Sequence, residues 1–87
     1  MYSIVYSKIA VKQIQLLKSA KLDTKTKKLI DLISENPFQN PPPYEKLLGD
    51  MSELYSRRIN IQHRLVYQVY EQEKTVKIVS MWTHYEY

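Results

Sequence analysis

Leu54-Tyr55-Ser56-Arg57-Arg58-Ile59-Asn60, a polar turn at Ile61-Gln62-His63, and Arg64-Leu65-Val66-Tyr67-Gln68-Val69-Tyr70 form the stretch that decides the fold. Both arms read as strands, the second rich in β-branched and aromatic residues. A second turn, Glu71-Gln72-Glu73-Lys74, leads to a third strand from Thr75 through about Tyr85, where Val76, Ile78 and Val79 are β-branched. Turns this short make consecutive strands antiparallel neighbours.

Upstream of these strands the pattern changes twice. Asn36-Pro37-Phe38-Gln39-Asn40-Pro41-Pro42-Pro43-Tyr44 holds all four prolines and reads as an extended surface loop, a rigid connector between two layers. Before it, Leu22, Leu29, Ile30 and Ile33 recur at helical spacing, with Asp23 or Thr24 as the expected cap. Lys25, Lys27 and Lys28 lie mainly off that stripe, on a solvated face. Ala10, Ile14 and Leu17 mark an earlier helix from Lys8 to Ala20 with Ser7 as its N-cap, and Lys21-Leu22 is the break between the two. A connection this short makes the helices an antiparallel hairpin. Tyr2 to Tyr6 is a strand. The expected fold class is therefore α+β, in the order β-α-α-β-β-β. Its antiparallel sheet, with the N-terminal strand added, packs against the two-helix hairpin.

The 87 residues are expected to form a single domain, 1–87, since a chain this short buries only about 60% of its unfolded surface. Hydrophobic content of 44%, eight Tyr and one Gly indicate an ordered globule. No Cys is present, which fits a reducing compartment and removes disulfides and thiolate metal ligands. Met1 to Tyr6 is too short for a secretory signal, and no apolar run approaches the roughly 20 residues that span a bilayer. The expectation is a cytoplasmic protein without membrane association. A formal net charge of +4 favours polyanionic partners.

Two features carry chemistry. On a strand, Arg58 shares a face with Leu54, Ser56 and Asn60, opposite Tyr55, Arg57 and Ile59, while Arg64 alternates against Leu65 and Tyr67. With the apolar residues turned to the helices, Arg58 and Arg64 meet on the open side in adjacent strands. Their permanently charged, forked donors suit phosphate. The second feature is the ending Trp82-Thr83-His84-Tyr85-Glu86-Tyr87, where aromatics offer stacking surfaces and a histidine titrates near neutrality. RNA can be cut by its own 2′-hydroxyl given a base, an acid and positive charge at the phosphate. Glu45, His84 and Arg64 could fill those roles, Glu45 following the stiff proline run. His63 reads as a turn residue. Two histidines, no Cys and no carboxylate cluster offer no metal-ligand spacing, and no cofactor is expected.

Pro43-Tyr44-Glu45-Lys46-Leu47, Gly49-Asp50-Met51-Ser52, Ser56-Arg57-Arg58-Ile59, His63-Arg64-Leu65-Val66-Tyr67 and the closing His84-Tyr85 resemble the YoeB family of toxins within the RelE superfamily. The specific part of this resemblance lies in the second half, and the first half matches in architecture. The resemblance implies a RelE-like, microbial-ribonuclease-like fold. It also implies a toxin of a type II toxin-antitoxin module, a metal-independent endoribonuclease that cuts mRNA in the ribosomal A site. Carried over by position, Glu45 is the general base, His84 the general acid, Arg64 the stabiliser of the transition-state phosphate and Tyr85 the residue that positions substrate. Arg58 and Lys46 contact it. Base and acid can be exchanged between Glu45 and His84. Family members commonly carry a Lys shortly after the glutamate, where this chain has Leu48.

The implied partners are a Phd/YefM-type antitoxin, the ribosome and mRNA, a second copy in a homodimer, and operator DNA only as the toxin-antitoxin complex. Two alternatives stay open: a non-enzymatic toxin of the same fold, like the gyrase-directed ParE branch, or a basic nucleic-acid-binding module.

Overall fold

The structure, a computed structural model, describes residues 1–47 and 54–82. Strand β1 (Ser3–Tyr6) runs into Ser7, which is extended at φ −69° and ψ 164° and opens helix α1 (Lys8–Ser19). Ser7 Oγ accepts from the Ala10 amide at 3.0 Å and donates to the Val79 carbonyl at 2.8 Å. One hydroxyl therefore caps the helix and ties it to the sheet. Ser7→Ala is expected to cost about 1–2 kcal/mol. Urea unfolding would show this as a lower midpoint, and an unchanged midpoint would refute the cap.

Lys21 takes the left-handed backbone (φ 59°), and helix α2 (Asp23–Glu35) follows at once. The cap is Leu22, not Asp23 or Thr24, and no side chain bonds to the first turn. The hairpin leaves no room for one: Leu22 N already donates to Leu17 O at 2.8 Å, and Leu22 is itself in the helical region (φ −106°, ψ 0°). Asp23 instead lies in the first turn, where a carboxylate meets the positive end of the helix dipole. Thr26 donates back to Leu22 O at 2.8 Å.

Strands β2 (Tyr44–Lys46), β3 (Leu54–Arg58), β4 (Arg64–Tyr70) and β5 (Thr75–Ser80) complete a five-stranded sheet in the order β1-β5-β4-β3-β2. It is mixed: β2 to β5 pair antiparallel, but β1 pairs parallel with β5, Ser3 opposite Thr75 and Tyr6 opposite Ile78. The directions of β2 to β5 alternate, so β1, parallel to β5, runs opposite to β2. Ser7 N donates to Ile78 O at 2.9 Å, and Tyr2 and Ser34 exchange two hydrogen bonds that lock β1 to the end of α2.

Both helices lie on one face. Ala10 and Leu17 of α1 and Ile30 and Ile33 of α2 are buried against Leu65, Tyr67 and Val69 of β4 and Val76 and Ile78 of β5. Alternation puts every second strand residue on that face. β3 stops at Arg58, short of Asn60, because the Ile59 and Asn60 amides both donate to His63 O. Asn60 Oδ1 in turn accepts from Gln62 N and His63 N at 2.9 and 2.7 Å. β5 ends at Ser80, before Tyr85.

The proline segment departs most from a plain surface loop. Pro37 is buried, and the far end of the segment is the edge strand β2, with Tyr44 opposite Arg57 and Glu45 opposite Ser56. Arg57 holds both ends. Its side chain is 1% exposed, yet no carboxylate pairs with it among the described residues. Nη1 donates to Pro42 O at 2.7 Å, Nη2 to Pro37 O at 3.0 Å and Nε to the Tyr67 hydroxyl at 3.0 Å. The guanidinium also lies 4.9 Å from the Tyr44 ring centre. A buried cation is tolerated only when its donors are satisfied, and here carbonyl dipoles and an aromatic face do that.

Tyr67 completes the clamp by donating to Pro37 O at 2.8 Å. Burial raises its hydroxyl from the usual 10 to about 12, with Arg57 pulling part of the way back. The folded chain therefore holds this proton more tightly than the unfolded chain does. The resulting stabilisation, about 3 kcal/mol at most, is complete below pH 10 and is lost as pH rises from about 10 to about 12. In an alkaline absorbance titration Tyr67 should ionise late, and Tyr67→Phe should abolish that step. A single common transition in the folded wild type would contradict it.

Candidate active site

β2, β3 and β4 bring four polar side chains together on the face away from the helices. Arg58 and Arg64 are direct cross-strand partners, and Glu45 and Ser56 are partners one step along. Arg64 Nη1 lies 3.5 Å from Glu45 Oε1 and donates to Ser56 Oγ at 3.2 Å. With Pro43 and Tyr44 these residues line an open cleft of about 160 Å³. The Glu45 side chain is 68% exposed and that of Arg64 28%, so their ion pair adds little stability, about 0–1 kcal/mol.

Two arginines directly opposite one another repel. Glu45 offsets Arg64 only, and Arg58, which is exposed, has no carboxylate within 4.0 Å among the described residues. The cleft therefore carries an uncompensated positive charge beside a solvent-accessible carboxylate. An anion with a transferable proton nearby is what such a site can accommodate.

Of the residues singled out from sequence, Glu45, Arg58 and Arg64 are brought together. Lys46 is not. Strand alternation turns it away from Glu45, opposite Tyr55, to a separate cavity lined by Val69, Tyr70 and the Glu71–Glu73 turn. Lys46, expected to contact substrate, therefore does not line the cleft with the two arginines. His84, Tyr85 and Leu48 lie outside the described residues. Trp82 is described, and its carbonyl accepts from the Arg64 amide at 2.8 Å. His63 is the turn residue expected, 7% exposed and stacked on Trp82 with ring centres 4.1 Å apart.

Ser56, Pro43 and the role of Arg57 were missed. A signal existed for Arg57: adjacent arginines on one strand must face opposite sides, so one of the pair had to enter the helical face. Nothing in the sequence said that proline carbonyls would receive it.

A mixed sheet with a helical hairpin on one face is an α+β, RelE-like fold. A family model, described as YoeB-like toxin of bacterial type II toxin-antitoxin system, matches residues 10–85. The chain belongs to this family. Toxin YoeB of Synechocystis sp. is 38% identical over 58 residues, which span 67% of this chain and 65% of that relative. The YoeB/ParE toxin from Agrobacterium tumefaciens superposes with a TM-score of 0.85 at 27% identity, over 95% of this chain and 99% of that one. YoeB in the heterotetrameric YoeB-YefM complex from Staphylococcus aureus superposes with a TM-score of 0.79 at 32% identity, over 98% and 99%.

Proposed function

We propose that this chain is the toxin of a type II toxin-antitoxin module and acts as an endoribonuclease on mRNA in the ribosomal A site. The observation that carries the reading is the Glu45 carboxylate 3.5 Å from Arg64, on the strand row next to the Arg58–Arg64 pair. Glu45 takes the proton from a ribose 2′-hydroxyl. The oxygen so released attacks the adjacent phosphorus, an O2′–P bond forms, and the P–O5′ bond breaks. The departing 5′-oxygen receives a proton from an acid, and the products are a 2′,3′-cyclic phosphate and a 5′-hydroxyl end. Arg64 and Arg58 meet the charge that grows on the phosphoryl oxygens, where fixed donors are worth most.

His84 is the acid in this scheme, and Tyr85 positions the nucleotide. His84 is two positions beyond Trp82, a reach of at most about 7 Å of chain, and the Trp82 carbonyl is bonded to the Arg64 amide. That connection supports His84 as a partner of Arg64. Exchanging base and acid between Glu45 and His84 leaves the bond changes the same.

The antitoxin belongs to the same proposal. The Staphylococcus aureus relative assembles with YefM as a heterotetramer. An acidic segment of such a partner, folding over the Arg58–Arg64 face, would occlude the cleft at the cost of its own ordering entropy. Self-association of the toxin and operator binding by the complex follow from the same family membership.

The test is primer extension on an mRNA incubated with purified, antitoxin-free protein, with and without ribosomes. Cleavage confined to ribosome-bound mRNA is expected. Growth arrest with intact mRNA would instead favour a binding toxin.

A further inference from the structure

Beside the Arg58–Arg64 cleft, and sharing Arg58 and Pro43 with it, is a second, shallower depression of about 450 Å³. Lys25 of α2, Pro42 and Pro43 of the proline segment, and Asn60 and Ile61 of the β3–β4 turn line it together with Arg58. The reaction described above uses none of Lys25, Pro42, Asn60 or Ile61. We propose that this depression is an RNA subsite, which takes the nucleotide flanking the one at the Arg58–Arg64 face. The proposal rests on the ribonuclease reading and extends it to a second position on the same strand.

Three observations carry it. The first is charge. Lys25 is exposed and has no carboxylate within 4.0 Å among the described residues, whereas Lys27, two positions on, is paired with Asp31 at 3.5 Å. With Arg58 it brings two unneutralised cations to one rim, which suits successive phosphates of a single strand. The second is the apolar surface. Ile61 is 93% exposed in its turn and lines the depression with Pro42 and Pro43. An isoleucine so exposed gains nothing for the fold, but an unstacked base has an apolar face to lay against it.

The third is rigidity. Asn60 Oδ1 holds the turn through the Gln62 and His63 amides, and Arg57 anchors the proline segment by bonding to Pro42 O at 2.7 Å. A lining already fixed loses little entropy on binding. Continuity decides the occupant. Because Arg58 and Pro43 belong to both cavities, a strand lying on the arginine face leads into this depression without crossing other protein surface.

The experiment is fluorescence anisotropy with single-stranded trinucleotides and hexanucleotides whose riboses are 2′-O-methylated, so that no cleavage occurs. Wild type, Lys25→Ala and Ile61→Ser are compared over a range of salt concentrations. The hexanucleotide is expected to bind wild type at least about 10-fold more tightly than the trinucleotide, an increment typical of one stacked base or one added phosphate contact. Each variant should lose most of that increment and keep the trinucleotide affinity. Lys25→Ala should also lower the salt slope for the hexanucleotide by about 0.7, one phosphate's share. Ile61→Ser should leave the slope unchanged.

If the hexanucleotide keeps its advantage in both variants, or never has one, the subsite is overturned, and the Ile61 face is left for a protein partner. Failure of the ribonuclease reading looks different: wild type would then arrest growth with its mRNA intact, and Arg64→Ala would not weaken the trinucleotide. Thermal unfolding of Lys25→Ala and Ile61→Ser separates loss of binding from loss of fold, since both side chains are exposed and their midpoints should match wild type.

Discussion

Glu45→Gln is expected to lower the rate of mRNA cleavage on the ribosome by about 10²- to 10⁴-fold, the usual loss when a positioned general base is removed. The fold should be intact, because the Glu45 side chain is 68% exposed and its ion pair with Arg64 adds little stability. Gln keeps the shape and can still accept a hydrogen bond, but it cannot take the 2′-hydroxyl proton. The deficit should therefore fall on the chemical step, with binding of a 2′-O-methylated oligonucleotide near wild type or slightly stronger as a negative charge leaves the cleft. Arg64→Ala should differ. It removes a cation from the developing phosphorane, so both binding and the chemical step should suffer, the latter by about 10²- to 10³-fold. Single-turnover kinetics on programmed ribosomes would separate the two steps. Equal cleavage by Glu45→Gln and wild type would remove Glu45 as the base, whereas growth arrest with intact mRNA would remove the enzymatic reading and leave a toxin that acts by binding.

The second large effect concerns stability. Arg57→Ala is expected to cost about 3–5 kcal/mol, because the buried guanidinium leaves a void and strands the acceptors it satisfied. The Pro42 carbonyl loses its 2.7 Å donor, the Tyr67 hydroxyl loses Arg57 Nε, and only the Tyr67 hydroxyl still bonds to Pro37 O. Arg57→Lys should recover only part of this, since an ammonium cannot reproduce the planar fork that reaches three acceptors. Arg58→Ala provides the contrast. That side chain is exposed, so the neighbouring substitution should leave stability within about 0.5 kcal/mol of wild type. Urea denaturation of the three variants checks the ranking. Comparable losses for Arg57→Ala and Arg58→Ala would show that the clamp contributes nothing special.

How much of this was legible in the residues follows from the range of each interaction. The helical hairpin was, because Ala10, Ile14 and Leu17, then Leu29, Ile30 and Ile33, repeat at the period that one helix face requires. The β3–β4 hairpin and the side of the sheet taken by Arg58 and Arg64 were too, because strand alternation is local and strict. Glu45 was picked out by its place after the prolines and by the resemblance. Its strand was not, because Tyr44–Lys46 is three residues long and pairs only once Arg57 has drawn the proline segment in. Lys46 was read by nearness in sequence, and alternation on that same short strand sends it to the other face.

By itself, the sequence determined the two helices and every strand but the short one at Tyr44–Lys46, the apolar faces that must meet, the permanent charge of the arginine pair and the family to which the chain belongs. All of these depend on residue type and on spacings of a few positions. Only the tertiary structure decided the parallel docking of β1 on β5, the burial of Arg57 without a carboxylate, the 3.5 Å approach of Glu45 to Arg64 and the depression shared by Lys25 and Ile61. Each joins segments tens of positions apart whose own sequences carry no mark of one another. Their contact is set by how the chain closes on its core, where partners are chosen by packing and by the need to satisfy every buried donor.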